Sequence, residues 1–218
     1  MAASGSPRPF MLKAHEALER LREGNNRFVS SIRGDNTAVT EPKRFTLGEK
    51  QTPFAIVLGC SDSRVPAEIV FDQGLGDLFV IRVAGNIVSP SQIGSVEFAA
   101  ARFGVRLVVV LGHSQCGAIS ATIEELLQPA ENQSRNLRSI VDRVRPSVEG
   151  LLKTELRNDM DALIRTSVRS NVGVSVSHLR YGSPILENLI RHEGLRVIGA
   201  EYSLDTGVVE FFDKIDGE

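Results

Sequence analysis

Apolar residues follow two alternating rhythms along this chain. Near-continuous apolar runs of strand length stand at FAIVLG (54–59), DLFVIRVAG (77–85) and RLVVVLGH (106–113). Between and around them the spacing widens to three and four residues, the period of a helix. Segment 10–31 carries Leu12, Ala14, Ala17, Leu18, Leu21, Phe28 and Val29 in that way. VPAEIVFDQ (65–73) is helix-like, with Pro66 suited to a first turn. Residues 91–103 predict a helix with Ile93, Val96, Phe98, Ala99 and Ala100 facing inward, and 116–127 begins another. Helical spacing dominates 131–192, punctuated at Tyr181-Gly182-Ser183-Pro184. RVIGAEYSLDTGVVEFF (196–212) divides at Asp205-Thr206-Gly207 into strand, tight turn and strand.

Continuous apolar strands separated by helices predict a parallel sheet covered on both faces, because strands buried on both sides lose the inward–outward alternation. The expected fold is therefore α/β. It has a mainly parallel four-stranded central sheet, an added antiparallel edge strand from the terminal hairpin, helices on both faces, and an N-terminal helical arm. Residues 1–9 read as a disordered or tag-like start, 10–52 as the arm and a loop, and 53–218 as the single catalytic unit. The polar stretch 33–52 shows no period. An amphipathic helix followed by such a stretch suggests packing against a partner chain.

Composition narrows the function classes. The chain has 218 residues and a formal net charge of -2, so electrostatics give no case for nucleic acid or an anionic membrane as partner. No apolar run approaches the roughly 20 residues of a membrane span, and MAASGSPRPF lacks an apolar signal core. The cytoplasm is the default expectation.

The candidate chemistry lies at two strand ends. The chain's two cysteines occur in GCSDSRV (59–65) and LGHSQCG (111–117), each just after an apolar run. In an open α/β sheet that edge gathers loops and helix N-termini, and sites form there. His113 and Cys116 are two residues apart at a strand-to-helix turn. Adding Cys60 makes a Cys, His, Cys set, which suits tetrahedral Zn²⁺ with a fourth position left over. Four readings stay open from spacing alone: an inert buried pair beside a core histidine, a disulfide, a closed structural zinc site with Asp62 as fourth ligand, and a catalytic zinc. A redox pair would favour CxxC, and a dinucleotide fold GxGxxG after the first strand; neither is present.

CSDSRV (60–65) together with GHSQCG (112–117) closely resembles the β-class carbonic anhydrases. The flanks GDLFVIRVAGN (76–86), SVEFA (95–99) and GAEYSLDTGVV (199–209) agree. The resemblance spans roughly residues 10–212. It implies one Zn²⁺ per chain on Cys60, His113 and Cys116. The implied reaction is reversible hydration of carbon dioxide to bicarbonate and a proton, by attack of zinc-bound hydroxide. It implies an Asp62–Arg64 dyad in which Asp62 orients the nucleophile, or ligates zinc only in a closed inactive form. Gln51 and Phe98 match pocket positions. Phe98 stands where plant-like members carry tyrosine, so a hydroxyl is lost there. A small apolar substrate further suggests Phe79 and Ala84 as pocket walls and Gly85 as a point of close backbone approach. The bicarbonate-regulated form of the family uses a tryptophan, which this chain lacks, so an open site is expected. The resemblance also implies a homodimer with a pocket built by both chains, Gln51 reaching across, and a tetramer as the further expectation. Carbon disulfide or carbonyl sulfide hydrolysis, or a non-enzymatic structural zinc module, are the alternatives. His15, His178 and His192 lie far from both motifs in sequence, so buffer or a water chain is the expected proton acceptor.

Overall fold

The computed structural model describes residues 12–34, 51–129 and 134–212. The expected start at 1–9 and most of the expected loop, 35–50, lie outside the described residues. Five strands form one sheet: β1 (Ala55–Gly59), β2 (Leu78–Arg82), β3 (Leu107–His113), β4 (Arg196–Tyr202) and β5 (Val209–Phe211). Their order is β2-β1-β3-β4-β5. The first four are parallel and β5 is antiparallel to β4. This is the sheet that the two rhythms predicted.

β1 and β3 are buried along their whole length, because each has a strand on either side and helices on both faces. Successive side chains still divide between two layers, as the period of two requires. Ala55, Val57, Leu107, Val109 and Leu111 join one cluster, while Ile56, Leu58, Val108 and Val110 join the other.

The helices are α1 (Ala14–Arg33), α2 (Ala67–Val70), α3 (Pro90–Phe103), α4 (Gly117–Leu127), α5 (Arg135–Val148), α6 (Met160–Tyr181) and α7 (Pro184–His192). The expected helix over 65–73 shrinks to the single turn α2, since Asp72 takes φ 45° and reverses the chain. No helix among the described residues is long and apolar enough to cross a membrane.

α1, the expected N-terminal helix, has a seat on the chain's own sheet. Its Ala17, Leu18 and Leu21 are fully buried in the same cluster as Val57, Phe71 and Leu111. Burying a leucine contributes about 1.5–3 kcal/mol, which fixes the helix on its own sheet. Buried Asn25 pins it further. Its Nδ2 donates to the carbonyls of Val70 (3.0 Å) and Gly207 (2.9 Å), and its Oδ1 accepts from the Val209 amide at 2.9 Å.

On the other face, α3 begins with Pro90 and ends at Gly104. Its inward stripe is Val96, Ala99 and Ala100. Phe98 is 54% exposed, which corrects its inward placement. Two residues along a helix is about 200° of rotation, so a side chain two positions from Val96 faces away from the core.

The strand order decides where a site can form. After β1 the chain crosses to β2, and after β3 it crosses the other way to β4. β1 and β3 are neighbours, with Gly59 opposite Leu111. The chain therefore leaves these adjacent strands in opposite directions, which opens a crevice at their carboxyl ends.

Candidate metal centre

Cys60 leaves the end of β1, His113 ends β3, and Cys116 is the N-cap of α4. All three are buried, and their ligand atoms lie within 4.8 Å of one another. The turn between His113 and Cys116 holds Gln115 at φ 56°. It is tied to the end of β4 by the Ser114 amide, which donates to the Tyr202 carbonyl at 2.9 Å. The Ser114 hydroxyl accepts from the Leu204 amide at 2.9 Å.

His113 Nδ1 lies 2.9 Å from the Ser114 carbonyl. A carbonyl only accepts, so Nδ1 carries the proton and Nε2 keeps its lone pair. That Nε2 is buried without a hydrogen-bond partner among the described residues. A buried acceptor left in that state is costly, and a cation satisfies it. The Cys60 sulfur accepts from the Gly85 amide at 3.3 Å.

The thiols are electrostatically unequal. The hydrogen bond from Cys116 pulls the Cys60 thiol down, against its burial, and His113 and nearby amides assist. Donating that bond pushes Cys116 up, as do its burial and the charge on Cys60. Burial opposes charge on His113, yet the Cys60 sulfur beside it, above all as a thiolate, with the Ser114 carbonyl and Asp62, leaves it raised overall. Two sulfurs and an imidazole thus crowd one buried spot with their donor atoms within 4.8 Å of one another. Such a donor set fits Zn²⁺, which takes thiolate and imidazole and would relieve all three groups at once.

Asp62 stands beside the donors, its Oδ2 3.9 Å from His113 Nε2. Arg64 holds it in a fork, with Nε to Oδ1 at 2.9 Å, NH2 to Oδ2 at 2.7 Å, and the Arg64 amide to Oδ1 at 3.0 Å. These bonds keep the carboxyl well below the usual carboxylate range. Asp62 is thus ionised and engaged by arginine.

The carbonic anhydrase family model matches residues 55–209. The chain belongs to the β-carbonic anhydrase family. It is 37% identical over 201 residues to carbonic anhydrase 2 of Mycobacterium tuberculosis, covering 91% of this chain and 93% of that protein. It is 38% identical over 194 residues to the carbonic anhydrase of Mycolicibacterium smegmatis, covering 89% and 91%. Among solved structures, a tetrameric β-carbonic anhydrase from Sordaria macrospora superposes with a TM-score of 0.68 at 25% identity, covering 92% of this chain and 96% of that one. As a β-carbonic anhydrase the chain is a zinc enzyme of carbon dioxide hydration, and Cys60, His113 and Cys116 are positioned for its one ion.

The β-carbonic anhydrase pocket residues expected from sequence do not all gather here. Gly85 touches Cys60, and half-buried Ala84 precedes it. Phe79 sits three residues before the end of β2, about 10 Å back along the strand. It forms an aromatic trio with Phe98 and Phe103 at centroid separations of 5.7–6.2 Å. Gln51 is exposed beside Gly76, at the amino edge of the sheet, the length of β1, about 15 Å, from Cys60. A surface groove of about 240 Å³ between α1 and β5, lined by Arg22, Asn25, Asn26, Val208, Val209 and Phe211, includes none of the metal donors.

Sequence reasoning missed Arg82. Its Nε donates to the Cys60 carbonyl at 3.0 Å and its NH2 to the Asp62 carbonyl at 2.5 Å. One guanidinium thereby holds the loop that carries Cys60 and Asp62. The residue lies within the matched flank IRVAGN, but nothing local marks a contact made some twenty positions away.

Proposed function

We propose that Asp62 and Arg64 are the working dyad of a zinc-dependent, reversible carbon dioxide hydration at the Cys60–His113–Cys116 centre. The observation that carries this reading is the convergence of the three donors beside an aspartate already engaged by arginine. Zn²⁺ held there supplies a Lewis acid that lowers the pKa of water from about 15.7 to about 7. An ionised carboxylate only accepts hydrogen bonds. Asp62 would accept a hydrogen bond from the attacking hydroxide, which keeps its proton, and so leave a lone pair of that oxygen aimed at the carbon of CO₂. Arg64, with its planar fork of donors, keeps Asp62 charged and away from the metal donors. Arg82 holds the loop carbonyls so that Cys60 and Asp62 keep their separation.

Gly85 and Ala84 wall the pocket from within the chain. Gln51, Phe79 and Phe98 serve a pocket assembled with a second copy; the exposure of Gln51 and Phe98, and the distance of Gln51 and Phe79 from their own metal centre, support that assignment. A homodimer is the minimum assembly, and a tetramer the next. His178, near the end of α6, and His192, which leads back into β4, lie toward the amino edge of the sheet, so the released proton passes to buffer or water.

The test is stopped-flow CO₂ hydration on metal-quantified protein from neutral to alkaline pH, with carbon disulfide as the second substrate. About one zinc per chain with rapid hydration that rises toward alkaline pH is expected, because two thiolates place more charge on the metal than imidazoles do. Zinc without hydration at any pH would refute the assignment, and turnover of carbon disulfide alone would move it to sulfide substrates.

A further inference from the structure

Beneath the metal centre, residues 84–86 form a single turn of 3₁₀ helix at the end of β2. Its backbone is unusual twice over, with Gly85 at φ 70° and Asn86, which is not glycine, at φ 42°. Such conformations persist where the surroundings over-determine them. Here the surroundings are polar side chains projecting from α6 into an otherwise apolar layer. Asn171 Nδ2 donates to the Gly85 carbonyl at 2.7 Å, and Ser175 Oγ donates to the Asn86 carbonyl at 2.9 Å. The two are one helical turn apart, so they share a face and grip successive carbonyls. Both are at least 98% buried. Ser147 lies 3.4 Å from Asn171 Oδ1 and backs the amide from α5.

We infer that Asn171 is a positioning residue for the metal centre: by holding the Gly85 carbonyl it aims the Gly85 amide at the sulfur of Cys60. The inference rests on Cys60 being a metal ligand. An N–H donated to a metal thiolate withdraws charge from the sulfur and fixes its direction. Partners of this kind, one shell out from the ion, are worth about 10–100-fold in metal affinity. A purely structural role would satisfy the carbonyl and do nothing more.

The experiment uses the full-length protein, isotope-labelled and loaded with ¹¹³Cd²⁺ in place of zinc. In the wild type, the Gly85 amide proton should show scalar coupling to cadmium through the sulfur. The Asn171 side-chain nitrogen should couple to the Gly85 carbonyl carbon. Asn171→Ala should abolish the cadmium coupling and lower zinc affinity about tenfold in chelator competition. Leu179→Ala removes a fully buried side chain from the same helix without reaching the turn, and should leave both readouts within about twofold of wild type. A cadmium resonance of a two-thiolate site with no Gly85 coupling in the wild type overturns this inference alone. A resonance without thiolate ligation overturns the metal-centre assignment as well. Asn171→Ala that keeps coupling and affinity, or loses them only as far as Leu179→Ala does, reduces Asn171 to a structural role. Should Asn171→Ala fail to fold, Asn171→Ser, whose shorter side chain keeps a polar group but does not reach the Gly85 carbonyl, is read by the same two measurements with the same expected losses.

Discussion

Gly85→Ala isolates the backbone of the turn beneath the metal. Two costs can be worked from the structure. At φ 70° a residue with a Cβ loses roughly 1–2 kcal/mol relative to glycine. The new methyl would also stand 3.2 Å from Ala118 Cβ and 3.4 Å from Val144 Cγ2, inside the ordinary carbon–carbon separation of about 3.5–4.0 Å. Both neighbours sit in packed helices, so crowding of this kind adds about 1–3 kcal/mol. A stiffer unfolded chain returns about 0.4–1 kcal/mol. The net expectation is a loss of about 1–4.6 kcal/mol, centred near 3, less than the stability of a typical domain. Urea denaturation of metal-depleted protein reads this directly, with no contribution from bound zinc. Repeating it with zinc present should show a larger loss, because relief of the crowding moves the Gly85 amide off the Cys60 sulfur. A metal-depleted variant within about 1 kcal/mol of wild type would refute the steric argument. A loss equal with and without zinc would refute the link to the metal.

Asp62→Asn should lower turnover by about 10²-fold, the scale of a mispositioned reacting group, while zinc content by metal analysis stays at one per chain; equal loss of both would make Asp62 a ligand. The bonds from Arg64 depress the Asp62 pKa, so the fork's contribution is present above the ordinary carboxyl value of about 3.9 and is lost only as pH falls below it. Arg64→Ala should return the carboxyl toward that ordinary value in a carbon-detected NMR titration and, in a crystal structure, let Asp62 approach the metal; a carboxyl that titrates as in wild type would contradict the fork's role. Metal-depleted protein should show one thiolate of two by ultraviolet absorbance at about pH 7, below the ordinary thiol pKa of about 8.5, since Cys60 is lowered and Cys116 raised; a spectrum with no thiolate there would show that the pair does not share its proton as the geometry implies.

Part of this protein is determined within a few residues of each position, and that part the sequence carries openly. Unbroken apolar runs marked β1 and β3 because each is covered on both sides. Gly104 closed α3 in the left-handed region. The placement of Cys60 and His113 at strand ends follows from the same local reading, as does the Asp62–Arg64 spacing, which a fork can close within one turn of chain. Tertiary structure decided everything that needs two distant segments to meet. The order β2-β1-β3 sets Cys60 beside His113. The buried leucines of α1 found a seat on the chain's own sheet, where the pattern suggested only packing against a partner chain. Phe98 matched a helical window yet lies on its outward side, and Gln51 lies at the far edge from the metal. The bond from Asn171 to Gly85 spans 86 residues. Helical period and turn chemistry reflect the chain's immediate neighbours, whereas such contacts are chosen by burial and hydrogen-bond satisfaction across the whole fold and leave no local trace.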